Sequence, residues 1–366
     1  MSFDQGAVLQ IVPHLPGSYD GVGDYALNLA KALSKASNLQ TIFLVAQTTD
    51  SRSKDGFEVV SGLARDLSSR SFDKVILHYA NYGYQSRGVP FELRRFSEGL
   101  RRNLHGRWIT TFHELYASGP PWKSAFWMRP WQVKIARDLV DVSDFCFVSN
   151  DVIRNAIFRH DSRKRIRLLP VMSNFGEPEL GDFDGRPKTR WAICGGETLI
   201  ARSLRSLKAA LPGIPLNYFP TKIEIIGGHQ GESIREVVQD LQAAMPDTSF
   251  NCHPEITADG ASQILAGCSL GWLDYYGRGK AWPGMLFKSG SFAAYCAHGV
   301  IPVLSHEEST LTLEGDELPG PYFIAGGKVK LPEFERLSQT RRQIYDWYHK
   351  HASSERAADA YLEALR

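Results

Sequence analysis

The residues best able to do chemistry in this chain gather in five short segments, each where an apolar run gives way to a helical pattern. The first is HLPGSYDGVGDYA (14–26), in which Gly21, Gly23 and Ala26 spell G-x-G-x-x-A. Glycines let the backbone approach a phosphate, and a helix N-terminus offers free N–H groups and a partial positive charge. PHLPGSYD stands between the apolar run and those glycines, a longer insert than a dinucleotide turn carries, so a phosphate- or sugar-facing loop and a plain tight turn are the two readings. The second segment, TTFHELYASGPPW (110–122), sets His113 and Glu114 at a strand's carboxyl edge, where open α/β sheets bind ligands. A histidine there can act as base, orient a hydroxyl or stabilise charge; holding the following loop is the structural alternative. Trp122, Phe126, Trp127 and Trp131 follow, at spacing that suits a sugar-binding face, a core or a membrane interface.

Three further segments carry polar groups to strand ends. HYANYGYQSRGVP (78–90) holds Tyr79, Tyr82 and Tyr84, hydroxyl partners for a polyol or packing beneath a glycine turn. MLFKSGSFAAYCAHG (285–299) opens a helix with Lys288, Ser289, Gly290 and Ser291, where charge, donors and dipole would converge on an anion. Ordinary serine capping beside a surface lysine is its alternative. ICGGETLIARSL (193–204) places Gly195, Gly196 and Arg202 in a matching strand–helix turn, with Arg202 either reaching a phosphate or lying on the surface.

Several chemistries are excluded by pattern. The chain has no G-x-x-x-x-G-K-[ST], H-E-x-x-H or EF-hand run. Five cysteines lie scattered without a C-x-x-C pair and read as reduced core thiols, not a zinc site or a disulfide framework. Net charge of +2 gives no strong pull toward nucleic acid. The first 180 residues nevertheless carry +5 and the remainder −3, so the basic runs 91–107 and 159–167 suit a solvated face or an anionic partner.

Those segments need elements to position them. The chain has 366 residues, 43% of them hydrophobic and 22% charged, enough for two domains with cores of their own. Short β-branched runs alternate with helical patterns: AVLQIV (7–12), then DYALNLAKALSKA (24–36), TIFLVA, KVILHY, RWITTF, DFCFVS and RIRLLP with helices between. That alternation predicts α/β domains built on parallel sheets. The polar stretch 174–190 breaks it, and it restarts at WAICGG (191–196), so the reading is two Rossmann-like domains, 1–180 and 181–340, with a helical tail over 341–366. The opening MSFDQGAVLQIV reads as a first strand and not a signal peptide. The most apolar stretch, 291–304, is too short and too broken to span a bilayer.

GVGDYALNLAKAL, TFHE, FCFVSNDV and HGVIPVLS together resemble the GT-B glycosyltransferases, in particular the large retaining group known as family 4. The resemblance spans nearly the whole chain. It implies two Rossmann-like domains facing across a cleft, with the terminal helix, including Trp347 and Tyr348, crossing back onto the first. It implies a nucleotide-sugar donor bound by the second domain, a saccharide or glycoconjugate acceptor by the first, and transfer without cofactor or metal, with retention.

Carried over, Gly21 and Gly23 would face the donor diphosphate or sugar, and His113 the sugar hydroxyls. Arg202, Lys288, Ser289 and Gly290 would hold the departing diphosphate. His14, Tyr82 and Trp122 fall on the acceptor side, and for an inverting enzyme His14, Asp24 or His113 would be the base. The chain departs from the family's E-x7-E glutamates, whose positions fall near Leu286 and Ala294, which marks a divergent branch. A sugar-nucleotide epimerase of the same fold, a nicotinamide oxidoreductase and a non-catalytic nucleotide-sugar-binding protein are the rival readings. The expected setting is the cytoplasm, in polysaccharide or glycoconjugate assembly, with peripheral contact between the N-terminal domain and anionic membrane left open.

Overall fold

The computed structural model describes residues 7–15, 21–47, 49–63, 72–116, 120–180, 183–277 and 284–366. The chain divides into two compact units, Met1–Pro170 with Ser354–Arg366, and Val171–Ser353. In the first unit β1 (Ala7–Val12) leads to α1 (Gly21–Ser37), β2 (Gln40–Val45), β3 (Ser53–Lys54), β4 (Phe57–Ser61) and β5 (Lys74–Tyr79). Next come α2 (Asn81–Tyr84), α3 (Phe91–Asn103), β6 (Arg107–Phe112), α4 (Ser124–Val142), β7 (Phe145–Val148), α5 (Asp151–His160) and β8 (Arg165–Leu168). The sheet order is β3-β4-β2-β1-β5-β6-β7-β8, parallel except at the β3–β4 pair.

Side chains of a strand alternate between the two faces of its sheet, and here the two faces differ in character. Ala7, Leu9 and Ile11 of β1, Leu77 and Tyr79 of β5, and Trp108 and Phe112 of β6 join a large core with Leu93, Ile135, Leu139 and Ile157 from α3, α4 and α5. On the other face Val12 and Phe43 pack with Ala26, Leu27 and Ala30 of α1. That second face also receives Gln10, His78 and Thr111, each nearly or fully buried.

The second unit repeats the plan. β9 (Arg190–Cys194), α6 (Glu197–Ala210), β10 (Lys222–Ile226), α7 (Glu232–Ala244), β11 (Ser249–His253), α8 (Ala258–Ala266), β12 (Leu270–Leu273), α9 (Gly290–Ala297) and β13 (Ile301–Leu304) are followed by a small hairpin, β14 (Thr312–Leu313) and β15 (Asp316–Glu317). β16 (Tyr322–Ala325), β17 (Lys328–Lys330) and α10 (Leu337–His351) complete it. Its sheet runs β11-β10-β9-β12-β13-β16-β17, with only β16–β17 antiparallel.

The tail is not one helix over 341–366. α10 ends at His351, and α11 (Ser354–Ala364) begins after a short break. α10 packs on α9 inside the second unit, so Trp347, stacked 5.7 Å from Phe287, and Tyr348, whose hydroxyl donates to Glu177 at 2.7 Å, stay with that unit. Only α11 belongs to the first unit, where it lies along α1. The unit boundary falls at Pro170, not 180, because Val171 donates to the Phe287 carbonyl and Tyr348 holds Ser173, tying this stretch into the second core.

Candidate functional site

In the first unit the chain leaves β1 toward β2 and returns to β5 on the other side, so the loops after β1 and β5 diverge. A crevice at such a switch point is where open α/β sheets bind ligands. His113 directly follows β6, beside β5, and its backbone N–H donates to the Tyr79 carbonyl at 2.9 Å. Its side chain is 8% exposed. Nε2 of His113 lies 3.3 Å from Nδ1 of His78, and Nε2 of His78 lies 2.8 Å from Oε1 of Gln10. The Gln10 amide nitrogen donates to Thr41 Oγ1 at 3.3 Å.

That network sets the direction of every hydrogen bond. The Gln10 oxygen can only accept, so His78 Nε2 donates; burial and the neighbouring His113 hold His78 well below the ordinary histidine range and neutral. Its Nδ1 must then accept from Nε2–H of His113. Tyr25 of α1 closes the cluster edge-on, 5.0 Å from His113 and 5.8 Å from His78. The Tyr25 hydroxyl meets that of Tyr361 from α11 at 3.4 Å, and Tyr361 meets Thr111 Oγ1 at 2.5 Å. Burial pushes the Tyr25 phenol up to about 12, against the opposing effect of the Tyr361 bond.

The other residues expected in this unit are placed less centrally. Gly21 and Gly23 are not in a loop: α1 already begins at Gly21, so both lie in its first turn with Asp24. A Cβ on Gly21 would meet nothing within 4 Å, so packing does not demand that glycine. His14 follows β1 and is half-buried. Tyr82 sits in α2, 40% exposed, its hydroxyl accepting from Gln132 at 3.3 Å. Trp122 is 84% exposed.

In the second unit the switch point lies between β9 and β12. Tyr295 of α9 fills it from behind, its hydroxyl accepting from the Cys194 amide at 3.0 Å and lying 3.1 Å from the Trp272 carbonyl. Two helix N-termini come together at the strand ends. Gly195 has φ of +143°, and a Cβ there would lie 2.9 Å from Ser291 Oγ in the first turn of α9. A Cβ on Gly227, at φ +94°, would lie 2.8 Å from the Gly195 carbonyl oxygen, so the turns after β9 and β10 nest on each other only as glycines.

Ser289 caps α9 by accepting from the Phe292 amide at 3.2 Å, and Lys288 ends the short helical turn before it. Gly290 is open, with only Asn174 Nδ2 at 3.7 Å from an added Cβ. α6 starts at Glu197, and Gly196 before it provides no side-chain cap. Two dipoles and their terminal N–H groups therefore meet beside a lysine, an arrangement suited to a polyanion.

Arg202 is differently engaged. It donates to the carbonyls of Asp274 (2.7 Å) and Tyr275 (2.8 Å), clamping the loop after β12. Leu286 and Ala294, where the family resemblance counts its two glutamates, are both fully buried. Four of the cysteines are buried as expected, whereas Cys252 is exposed on the edge strand β11. Among the described residues no three His, Cys, Asp or Glu side chains are grouped to hold a metal ion.

Sequence reasoning did not single out Gln10, His78, Thr111, Tyr25 or Tyr361. The signal was a polar residue inside an otherwise apolar strand, Gln10 in AVLQIV and His78 in KVILHY. A buried polar group needs a partner, and two such groups on adjacent strands can supply each other's.

No protein-family model matches the sequence, and no curated protein matches it. Solved structures do match its fold over the full length. An α-glucosyltransferase in complex with UDP and a 13-mer DNA containing a HMU base has TM-score 0.59 at 10% identity, covering 98% of each chain. The catalytic domain of starch synthase IV from Arabidopsis thaliana, bound to ADP and acarbose, has TM-score 0.55 at 11% identity and the same coverage. The lipopolysaccharide outer core galactosyltransferase WaaB has TM-score 0.53 at 12% identity, covering 98% of this chain and 99% of its own. The chain thus has the α/β fold with two parallel-sheet units found in GT-B glycosyltransferases.

Proposed function

We propose that this protein is a glycosyltransferase that moves a sugar from a nucleotide-sugar donor to a saccharide or glycoconjugate acceptor, without a metal ion and with retention of configuration. The observation that carries the reading is the pair of uncapped or serine-capped helix N-termini meeting beside Lys288 at the β9/β12 switch point, which suits a nucleoside diphosphate. Lys288 and the α9 N–H groups offer cationic and dipolar stabilisation to the leaving diphosphate. His113, held by His78 at the end of β6, would face the sugar hydroxyls. Gly21, Gly23 and Asp24 line the start of α1 on the same unit. The retaining stereochemistry rests on the family resemblance, as does a role in polysaccharide or glycoconjugate assembly. The small net charge of +2 favours a saccharide over a nucleic-acid acceptor. We place the enzyme in the cytoplasm, and the basic N-terminal half favours contact with anionic membrane.

A thermal-shift series with UDP, GDP, ADP, NAD(H) and their sugar conjugates tests it. A ligand at a hundred times its Kd adds about 2.7 kcal/mol of stability, which raises Tm by a few degrees. One nucleoside diphosphate should give that shift, and Lys288→Ala should reduce it. A shift with NAD(H) alone, or with none of these ligands, overturns the proposal.

A further inference from the structure

Six of the protein's large apolar side chains stand exposed on one region of the first unit: Trp122 at 84%, Trp127 at 64%, Trp131 at 51%, Phe126 at 43%, Tyr82 at 40% and Phe91 at 38%. Four of them adjoin, Trp127 and Trp131 lying one helical turn apart on α4. Phe91 at the start of α3 packs edge-on to Trp131 at 5.9 Å, and Phe126 packs edge-on to Trp127 at 5.3 Å. The Trp127 indole N–H is already used by the Pro121 carbonyl at 2.8 Å, leaving the ring itself as the outward surface. Isolated exposed apolar residues need no account, but a contiguous aromatic patch of this kind marks a place of contact.

The surrounding charge says with what. Between Glu114 and Asp138 the sequence has no acidic residue and four basic ones, Lys123, Arg129, Lys134 and Arg137. Lys123 and Arg129 are exposed and interleave with the tryptophans. Gln132 of the same helix is buried and spends its amide on the Tyr82 hydroxyl and the Arg87 carbonyl. Pro130, inside α4, lacks the N–H that would reach the Phe126 carbonyl, so this half of the helix is held less firmly by its own backbone. Exposed Glu92 adjoins Phe91, yet the cations of α4 outnumber it, and indole rings among cations match the headgroup region of a bilayer carrying anionic lipid.

We infer that the N-terminal half of α4, with Trp122 and Phe91, docks the protein on an anionic bilayer surface. The inference deepens the proposed membrane contact and rests on it, but it does not depend on glycosyl transfer. The test is co-sedimentation of the full chain, without nucleotide sugar, with vesicles of phosphatidylcholine alone or mixed with phosphatidylglycerol. Retention should occur on the mixed vesicles only and weaken as salt rises.

Trp127→Ser/Trp131→Ser and, separately, Lys123→Glu/Arg129→Glu should each lower the partition coefficient at least about tenfold. Both pairs are surface changes, so Tm should stay near the parent value. No retention on mixed vesicles, or equal retention of the Trp127→Ser/Trp131→Ser variant, overturns the inference. A concentration-dependent dimer that this variant abolishes would assign the patch to a second copy and also overturn it. Quenching of the patch tryptophans by a soluble oligosaccharide would make it an acceptor subsite, with the same consequence. Failure of these experiments leaves the nucleotide thermal shift unaffected, so the two readings fall separately.

Discussion

Gln10, His78 and His113 form a line in which each residue dictates the protonation of the next. The Gln10 amide, donating to Thr41, turns its oxygen to His78, and His78 can then only accept from His113. His78 touches no ligand in this scheme; it is a positioning residue that keeps one tautomer of His113. Replacing it with Phe leaves His113 Nε2–H without an acceptor and frees the ring to exchange tautomers. Under the proposed function kcat/KM should fall about 100-fold, the low end of what a placed acid or base contributes. Nitrogen-15 shifts of the His113 ring should move from one Nε2–H form to a mixture, and His78→Asn should restore part of both. An unchanged His113 tautomer in His78→Phe would remove the positioning role whatever the activity.

At the scale of elements, α9 is held at both ends by side chains. Ser289 caps its start, and His298 closes its end, donating from Nδ1 to the Ala294 carbonyl at 2.7 Å and accepting from Ser262 at 2.8 Å. Burial lowers His298 to about 4, with the Ala294 bond opposing and Arg186 adding. The unfolded chain therefore takes up a proton before the folded one does. The neutral-form stabilisation is complete above about pH 6.5 and is lost as pH falls toward about 4, roughly 3 kcal/mol in total. His306 is also lowered to about 4 by burial, despite the nearby Asp274, and acts in the same direction. His298→Gln should flatten the fall of Tm between pH 7 and pH 4.5 without abolishing it. Equal pH slopes for the two proteins would refute this assignment. The elements themselves were largely legible: the strand–helix alternation stands out because parallel strands buried on both faces read as short apolar runs. Less legible were β3, β4 and the small hairpin, whose short, partly exposed strands carry little pattern.

For the whole molecule, the return of α11 is the feature with the largest consequence. The chain builds one unit, builds a second, and then sends its last helix back to cover the polar face of the first sheet. Tyr361 is fully buried there and joins Thr111 to Tyr25, next to the His78–His113 pair. Tyr361→Phe should strip hydrogen bonds from two buried hydroxyls at a cost of about 1–3 kcal/mol. Tm should drop by a few degrees, and the His113 ring should become more mobile in the same nitrogen-15 spectra. A variant with parental Tm would show that α11 is held by packing alone.

The two Rossmann-like units, the glycine-bearing strand ends and the histidine after β6 were determined by the sequence itself, because periodicity and turn chemistry are local properties of the chain. Tertiary structure decided what those residues face. It turned Arg202 from an expected phosphate ligand toward two loop carbonyls, and it drew Gly21 and Gly23 into the helix. It also joined His78 to Gln10, 68 residues away, and Tyr361 to Thr111, 250 residues away. Such pairings depend on strand order and on which helix returns to which sheet, and no local pattern encodes either.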